Sequence, residues 1–108
     1  MRMLILSALA LTIVAGCSSN KEVILFDGQA FRAKVSKDRD ARRNFFATVS
    51  PVSASTEGAR EAGRYEGIKY CIMEYGTSNI LWTLSPDAEP QTWSLDGDTV
   101  TFSGTCRP

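Results

Sequence analysis

Histidine is absent from the 108 residues. That removes the side chain that most often serves as general base, metal ligand and pH switch near neutrality. Net charge is absent too. Twelve lysines and arginines face 12 aspartates and glutamates, so no overall field steers the chain towards nucleic acid. Cysteine is scarce, at three, and no two are spaced as CxxC, which leaves no redox dithiol motif. Neither G-x-G-x-x-G nor a P-loop occurs, so a nucleotide-cradling loop has no support. The chain holds one domain at most and is small for a cleft that encloses a substrate. Its longest apolar run, Leu4–Val14, falls short of the roughly 20 residues that span a bilayer as a helix.

What is present begins with an address. Arg2 supplies a positive start, Leu4–Val14 is uncharged, and Ala15 and Gly16 are small. A short basic region, an apolar stretch and small residues make an export signal. Val14-Ala15-Gly16-Cys17 adds a sharper feature. It resembles the lipobox of bacterial lipoproteins, an aliphatic residue and two small ones ahead of a cysteine. The resemblance covers the first 17 to 20 residues. It implies that residues 1–16 are removed and that the Cys17 thiol carries a diacylglycerol, usually beside an acylated amino terminus. It also implies a cell-envelope location facing the periplasm. Ser18, a non-aspartate directly after the cysteine, points to the outer membrane rather than the inner. Two or three acyl chains, at about 0.8 kcal/mol per buried methylene, anchor a protein stably. Residues 17–22 then read as a lipidated polar tether, and residues 23–108 as a single domain.

Cleavage would leave 92 residues, with 11 basic side chains against 12 acidic ones. A domain this small gains from a covalent staple. Cys71 and Cys106 remain as a pair in an oxidising compartment. The expectation is a bridge closing a loop of about 35 residues, worth about 3–4 kcal/mol by loop entropy. The rival readings are a buried free thiol and a catalytic one, and no histidine is present to activate the latter.

Alternation and turns outline the domain. Val23–Phe26 is an apolar run followed by Asp27-Gly28, a hairpin signal. Phe31, Ala33 and Val35 alternate with Arg32, Lys34 and Ser36, and Phe45, Ala47 and Val49 alternate with Phe46, Thr48 and Ser50, giving two more strands. Helix N-cap candidates lie within Ser53–Thr56, with Glu57 suited to the helix dipole. Gly58, Ala62, Tyr65, Ile68, Ile72 and Tyr75 then recur at helical spacing as the expected core face, with Cys71 at its edge and Gly76 as C-cap. Glu57–Arg60 and Glu61–Arg64 are spaced to pair. Gly63 and Gly67 each cost about 1 kcal/mol against alanine in a helix. They serve approach by a partner helix or, as is the expectation, either tight packing on the domain's own sheet or a weak helix start. Ile80–Leu84, Thr92–Leu95 and Thr99–Ser103 read as strands, with a turn at Asp96-Gly97-Asp98 and Cys106 just beyond. The order β-β-β-α-β-β-β predicts an α+β fold, one small antiparallel sheet with the helix packed on a face. A bridge from helix to last strand would pin the two layers.

Chemistry is thin. Ser18-Ser19-Asn20-Lys21 spells S-x-x-K but lies in the tether. Asp27, Glu57, Glu61, Glu66, Glu74, Asp87, Asp96 and Asp98 sit in turns or charged stretches, and none is paired within an otherwise apolar segment as acid–base chemistry would need. Asp96 and Asp98 lack a full calcium loop. We therefore expect no enzyme activity, no metal and no cofactor. Recognition has better candidates. Arg32 to Arg43 holds six cations against Asp38 and Asp40, and reads as a contact for lipid head groups, cell-wall polymer or an acidic partner, or as a solvated strand face and loop. Tyr70 and Met73 fall off the expected core stripe. Tyr70, Met73, Arg39, Arg42 and Arg43 are thus the candidate contact residues. The sequence predicts a non-enzymatic, membrane-anchored envelope lipoprotein that binds another envelope component, protein or cell-wall polymer, as an accessory or assembly module. The alternative is a ligand-binding or inhibitory module acting on a periplasmic target.

Overall fold

The structure, a computed structural model, describes residues 24–108. The expected signal peptide and tether, with Cys17, lie outside the described residues. The fold is α+β, with seven strands in two antiparallel sheets and one helix packed on the larger sheet. Strands β1 (Leu25–Phe26) and β2 (Gln29–Ala30) form a small hairpin. Asp27 and Gly28 turn it, both at positive φ, 55° and 72°, as a two-residue hairpin loop of this twist demands. Strands β3 (Arg32–Lys37) and β4 (Asn44–Ser50) follow, then α1 (Thr56–Tyr75), β5 (Ile80–Leu84), β6 (Ser94–Asp96) and β7 (Thr99–Cys106).

Four strands precede the helix where alternation predicts three. The chain leaves extended pairing at Phe31, so β2 pairs with β1 and β3 pairs with β4. The large sheet runs β3-β4-β7-β5, and β6 joins the same edge of β7 as β5. The last strand continues through Cys106 rather than ending before it. Pro90–Thr92 forms a 3-10 turn, so β6 begins at Ser94 and not at Thr92.

Alternation sorts the faces. Phe45, Ala47 and Val49 of β4 and Val100 and Phe102 of β7 are buried beneath the helix. Register places Phe45 opposite Gly104, Ala47 opposite Phe102 and Val49 opposite Val100. The helix starts at Ser55, whose Oγ accepts from the Gly58 N–H at 2.9 Å and donates to Asp27 at 2.6 Å. It ends at Gly76, in the left-handed region at φ 69°.

The face that periodicity suggests is buried only at its start, at Gly58 and Ala62; beyond Ala62 the helix docks by a different face. Gly58, Ala59, Ala62, Gly63, Gly67 and Cys71 are buried, whereas Tyr65 and Ile72 are 37% and 51% exposed. The reason is steric. The sheet supplies the bulk, and the helix must supply none. A Cβ on Gly63 would lie 2.3 Å from ring carbons of Phe102, and one on Gly67 would lie 2.6 Å from Trp82. The two glycines thus serve tight packing on the domain's own sheet. Cys71 and Cys106 form a disulfide, with Cα atoms 5.5 Å apart, which ties the helix to the central strand.

Candidate functional site

The loop joining β3 to β4 carries Arg39, Arg42 and Arg43, all exposed. Its backbone is held at several points. Within the loop, the Asp38 N–H donates to the Asn44 carbonyl at 3.0 Å and the Asn44 N–H to the Ala41 carbonyl at 2.8 Å. Asp38 Oδ1 also accepts from the Asp40 N–H at 3.0 Å. From the last strand, the Cys106 N–H donates to the Arg43 carbonyl at 2.9 Å. From the helix, the Tyr70 hydroxyl donates to the Arg42 carbonyl at 2.8 Å. Consecutive carbonyls are therefore held from β7 and from α1, which leaves the guanidinium groups free to face outward. Arg39, Arg42 and Arg43 rim a shallow open basin with Tyr75 and Thr105.

Tyr70 joins this end of the domain to the core. Its ring packs edge-on against Phe45 at 5.5 Å and lies 6.5 Å from Tyr75. It is half-buried, less open than its place off the expected stripe suggests. Burial pushes its phenol above the ordinary value, Tyr75 and Glu74 add to the rise, and Arg42 opposes it. The hydroxyl thus keeps its proton and its role as donor at neutral pH. Met73 lies one turn on and is 74% exposed. It shares a narrow groove with Val35, Glu66, Lys69, Tyr70 and Glu74. The five candidate contact residues therefore gather at one end of the domain.

Of the three remaining cations of the basic segment, Lys37 ends β3 in register with Phe45, and the other two go elsewhere. Arg32 and Lys34 project from the face of β3 turned away from the helix, Lys34 lying opposite Thr48 and, beyond it, Thr101. The local excess of charge is thus split between a sheet face and a loop.

Sequence reasoning missed the part played by Arg60 and Arg64. Arg60 pairs with Glu57 at 3.2 Å, as its spacing suggests. It also donates to the carbonyls of Pro86 and Ala88 and lies 5.4 Å from the centre of the Trp93 ring. Arg64 bonds Asp87 rather than Glu61. Together they strap the β5–β6 connection over the first half of the helix. A contact over more than 20 residues leaves no local signal. Below that strap, where β5 and β6 part along β7, lies a small cleft. Thr83, Ser85, Thr92, Ser94 and Thr101 surround it, with Trp93 and Phe102 as apolar walls. No acid or base lines it, so it offers hydroxyl groups and an aromatic surface but no proton-transfer pair.

Among the described residues, no group of three or more His, Cys, Asp or Glu could hold a metal ion, and no helix is long and apolar enough to cross a membrane. Compared with known proteins, the chain matches no family model, no curated protein and no solved structure.

Proposed function

We propose that the protein is a non-enzymatic, lipid-anchored component of the bacterial cell envelope. In this reading Cys17 carries the lipid, the domain faces the periplasm from the outer membrane, and the Arg39–Arg43 loop with Tyr70 and Met73 binds another envelope component. The observation that carries the contact is the Tyr70 hydrogen bond to the Arg42 carbonyl. It fixes a basic loop and an aromatic–methionine helix edge as one preorganised surface, and preorganisation reduces the ordering that binding would otherwise require. Three outward guanidinium groups suit an acidic partner or a phosphate-bearing polymer. The lipobox resemblance supports the location.

The test is in-cell crosslinking of the tagged, full-length protein, with mass spectrometry of what is recovered and Cys17→Ala as the unanchored control. One dominant envelope partner, lost in that control and weakened by Arg42→Glu with Arg43→Glu, is the expected result. Unchanged recovery with the charge-reversed loop would remove the loop from the contact. A second reading, a ligand-binding or inhibitory module, is favoured by the hydroxyl-lined cleft beside Trp93. Ligand-induced change in tryptophan fluorescence, abolished by Trp93→Leu, would support it over the first.

A further inference from the structure

The helix carries apolar residues on two sides, the second shared with the exposed Glu61, and the sheet occupies only the first. Ala59, Gly63, Gly67 and Cys71 lie against the sheet. Tyr65, Ile68 and Ile72 recur at i, i+3 and i+7 and so share one side of a 3.6-residue helix, roughly opposite the buried glycines by 100° per residue. Nothing in the domain covers this side fully. Ile68 is only half-buried, and Ile72 is half exposed. The solvent side of a surface helix is ordinarily polar, so large apolar groups here point to an occupant.

The course of the chain indicates which one. The described structure begins at Ile24, itself 46% exposed, and Ile24 lines one groove with Phe26, Tyr65 and Lys69. The Phe26 and Tyr65 rings are 5.6 Å apart. Cys17 lies seven residues before Ile24, a reach of about 25 Å at most at roughly 3.3–3.6 Å per residue. A lipid on Cys17 therefore keeps the Ile24–Tyr65 groove, which adjoins this side of the helix at Tyr65, within that reach of the membrane. Lys69 lies 5.3 Å over the Tyr65 ring. A tyrosine with a lysine is a pairing suited to the boundary between acyl chains and head groups.

We propose that the Tyr65–Ile68–Ile72 side of α1 rests on the phospholipid surface to which Cys17 is anchored, with Lys69 at the level of the phosphates. The inference rests on the lipoprotein reading and adds an orientation to it. The Arg39–Arg43 loop, at the far end of the helix from its N-cap, is then left clear at the rim of the contact.

The experiment uses the full-length protein, processed in cells and placed in phosphatidylethanolamine–phosphatidylglycerol vesicles with brominated acyl chains. Its mass reports lipidation, and flotation reports attachment. Two variants each add one tryptophan, Ile72→Trp on the proposed face and Ser36→Trp on the far face of the sheet. Trp82 and Trp93 give the background common to both. At least twofold stronger bromine quenching of the added tryptophan in Ile72→Trp than in Ser36→Trp is expected, with Tyr65→Trp as a second report should position 72 disturb the fold. Equal quenching in a lipidated, floating protein overturns the orientation and leaves the lipoprotein reading standing. A photoactivatable residue at position 72 that crosslinks to a second copy or another protein instead of lipid overturns it as well. Unmodified Cys17 with no flotation overturns both.

Discussion

The ring of Phe102 occupies the space that a side chain at position 63 would need. A Cβ there would lie 2.3 Å from two ring carbons, and Phe102 is fully buried on the central strand. The helix approaches the sheet as closely as it does because glycine stands at this position, and at Gly67 over Trp82 and Phe45.

Gly63→Ala is therefore expected to destabilise the domain, although alanine favours the helix by about 1 kcal/mol. Overpacking of a filled core costs about 1–3 kcal/mol, and the backbone has the ring directly in its way. Urea denaturation should show a lower midpoint for Gly63→Ala, and Glu61→Ala on the exposed side should stay within about 0.5 kcal/mol of the parent. A stabilised Gly63→Ala protein would mean that the ring can move aside.

Removing the bridge with Cys71→Ala and Cys106→Ala together should cost about 3–4 kcal/mol, from release of a 35-residue loop in the unfolded chain. The comparison is a guanidinium titration of parent and variant, with reductant added to the parent as a second route to the same state. Equal midpoints would show that packing alone holds α1 to β7.

Tyr70→Phe deletes one hydrogen bond, to the Arg42 carbonyl, and should cost about 0.5–1.5 kcal/mol near neutral pH. Its pH dependence has a definite sign. The folded-state phenol titrates above its ordinary value, so its contribution is whole below about pH 10 and declines as pH rises through the folded value. The parent should lose more stability than Tyr70→Phe only as pH rises above about 10. Parallel curves would exclude the coupling. Amide exchange across Arg39–Arg43 should also quicken in the variant.

Arg60→Met keeps an apolar stem but loses the donors to Pro86 and Ala88 and the cation over Trp93. Hydrogen bonds from a charged group are worth about 1.5–3 kcal/mol, so a loss of that order is expected. The Trp93 indole, which donates to the Ala88 carbonyl at 3.2 Å, should exchange its proton faster. An unaltered indole would show that the β5–β6 connection holds without the strap.

Much of this domain was readable one segment at a time. The Asp27-Gly28 turn, a cap somewhere within Ser53–Thr56, the stop at Gly76 and the alternation of Phe45, Ala47 and Val49 depend on neighbours a few residues away, and a linear string displays such neighbours. The cysteine pair was readable by counting. The residue types of the candidate contact were also visible, as an exposed-looking Tyr70 and Met73 and a run of arginines. Their meeting was not, since the Tyr70 bond to Arg42 spans 28 residues.

The sequence by itself determined the helix and the main strands, though not the short β2 or the exact bounds of β6 and β7, because backbone preferences, turn chemistry and apolar period act locally. Tertiary structure alone decided which side of that helix is inside. Periodicity nominates Gly58, Ala62, Tyr65, Ile68, Ile72 and Tyr75 as the core face, and of these only the small Gly58 and Ala62 are buried. The sheet already fills the interior with Phe45, Phe102 and Trp82, and a close-packed interior has room for a second layer only if that layer is nearly bare of side chains. The glycine stripe satisfies that condition, and the larger residues turn outward. Packing volume is a property of both layers at once, and no window along the chain contains both.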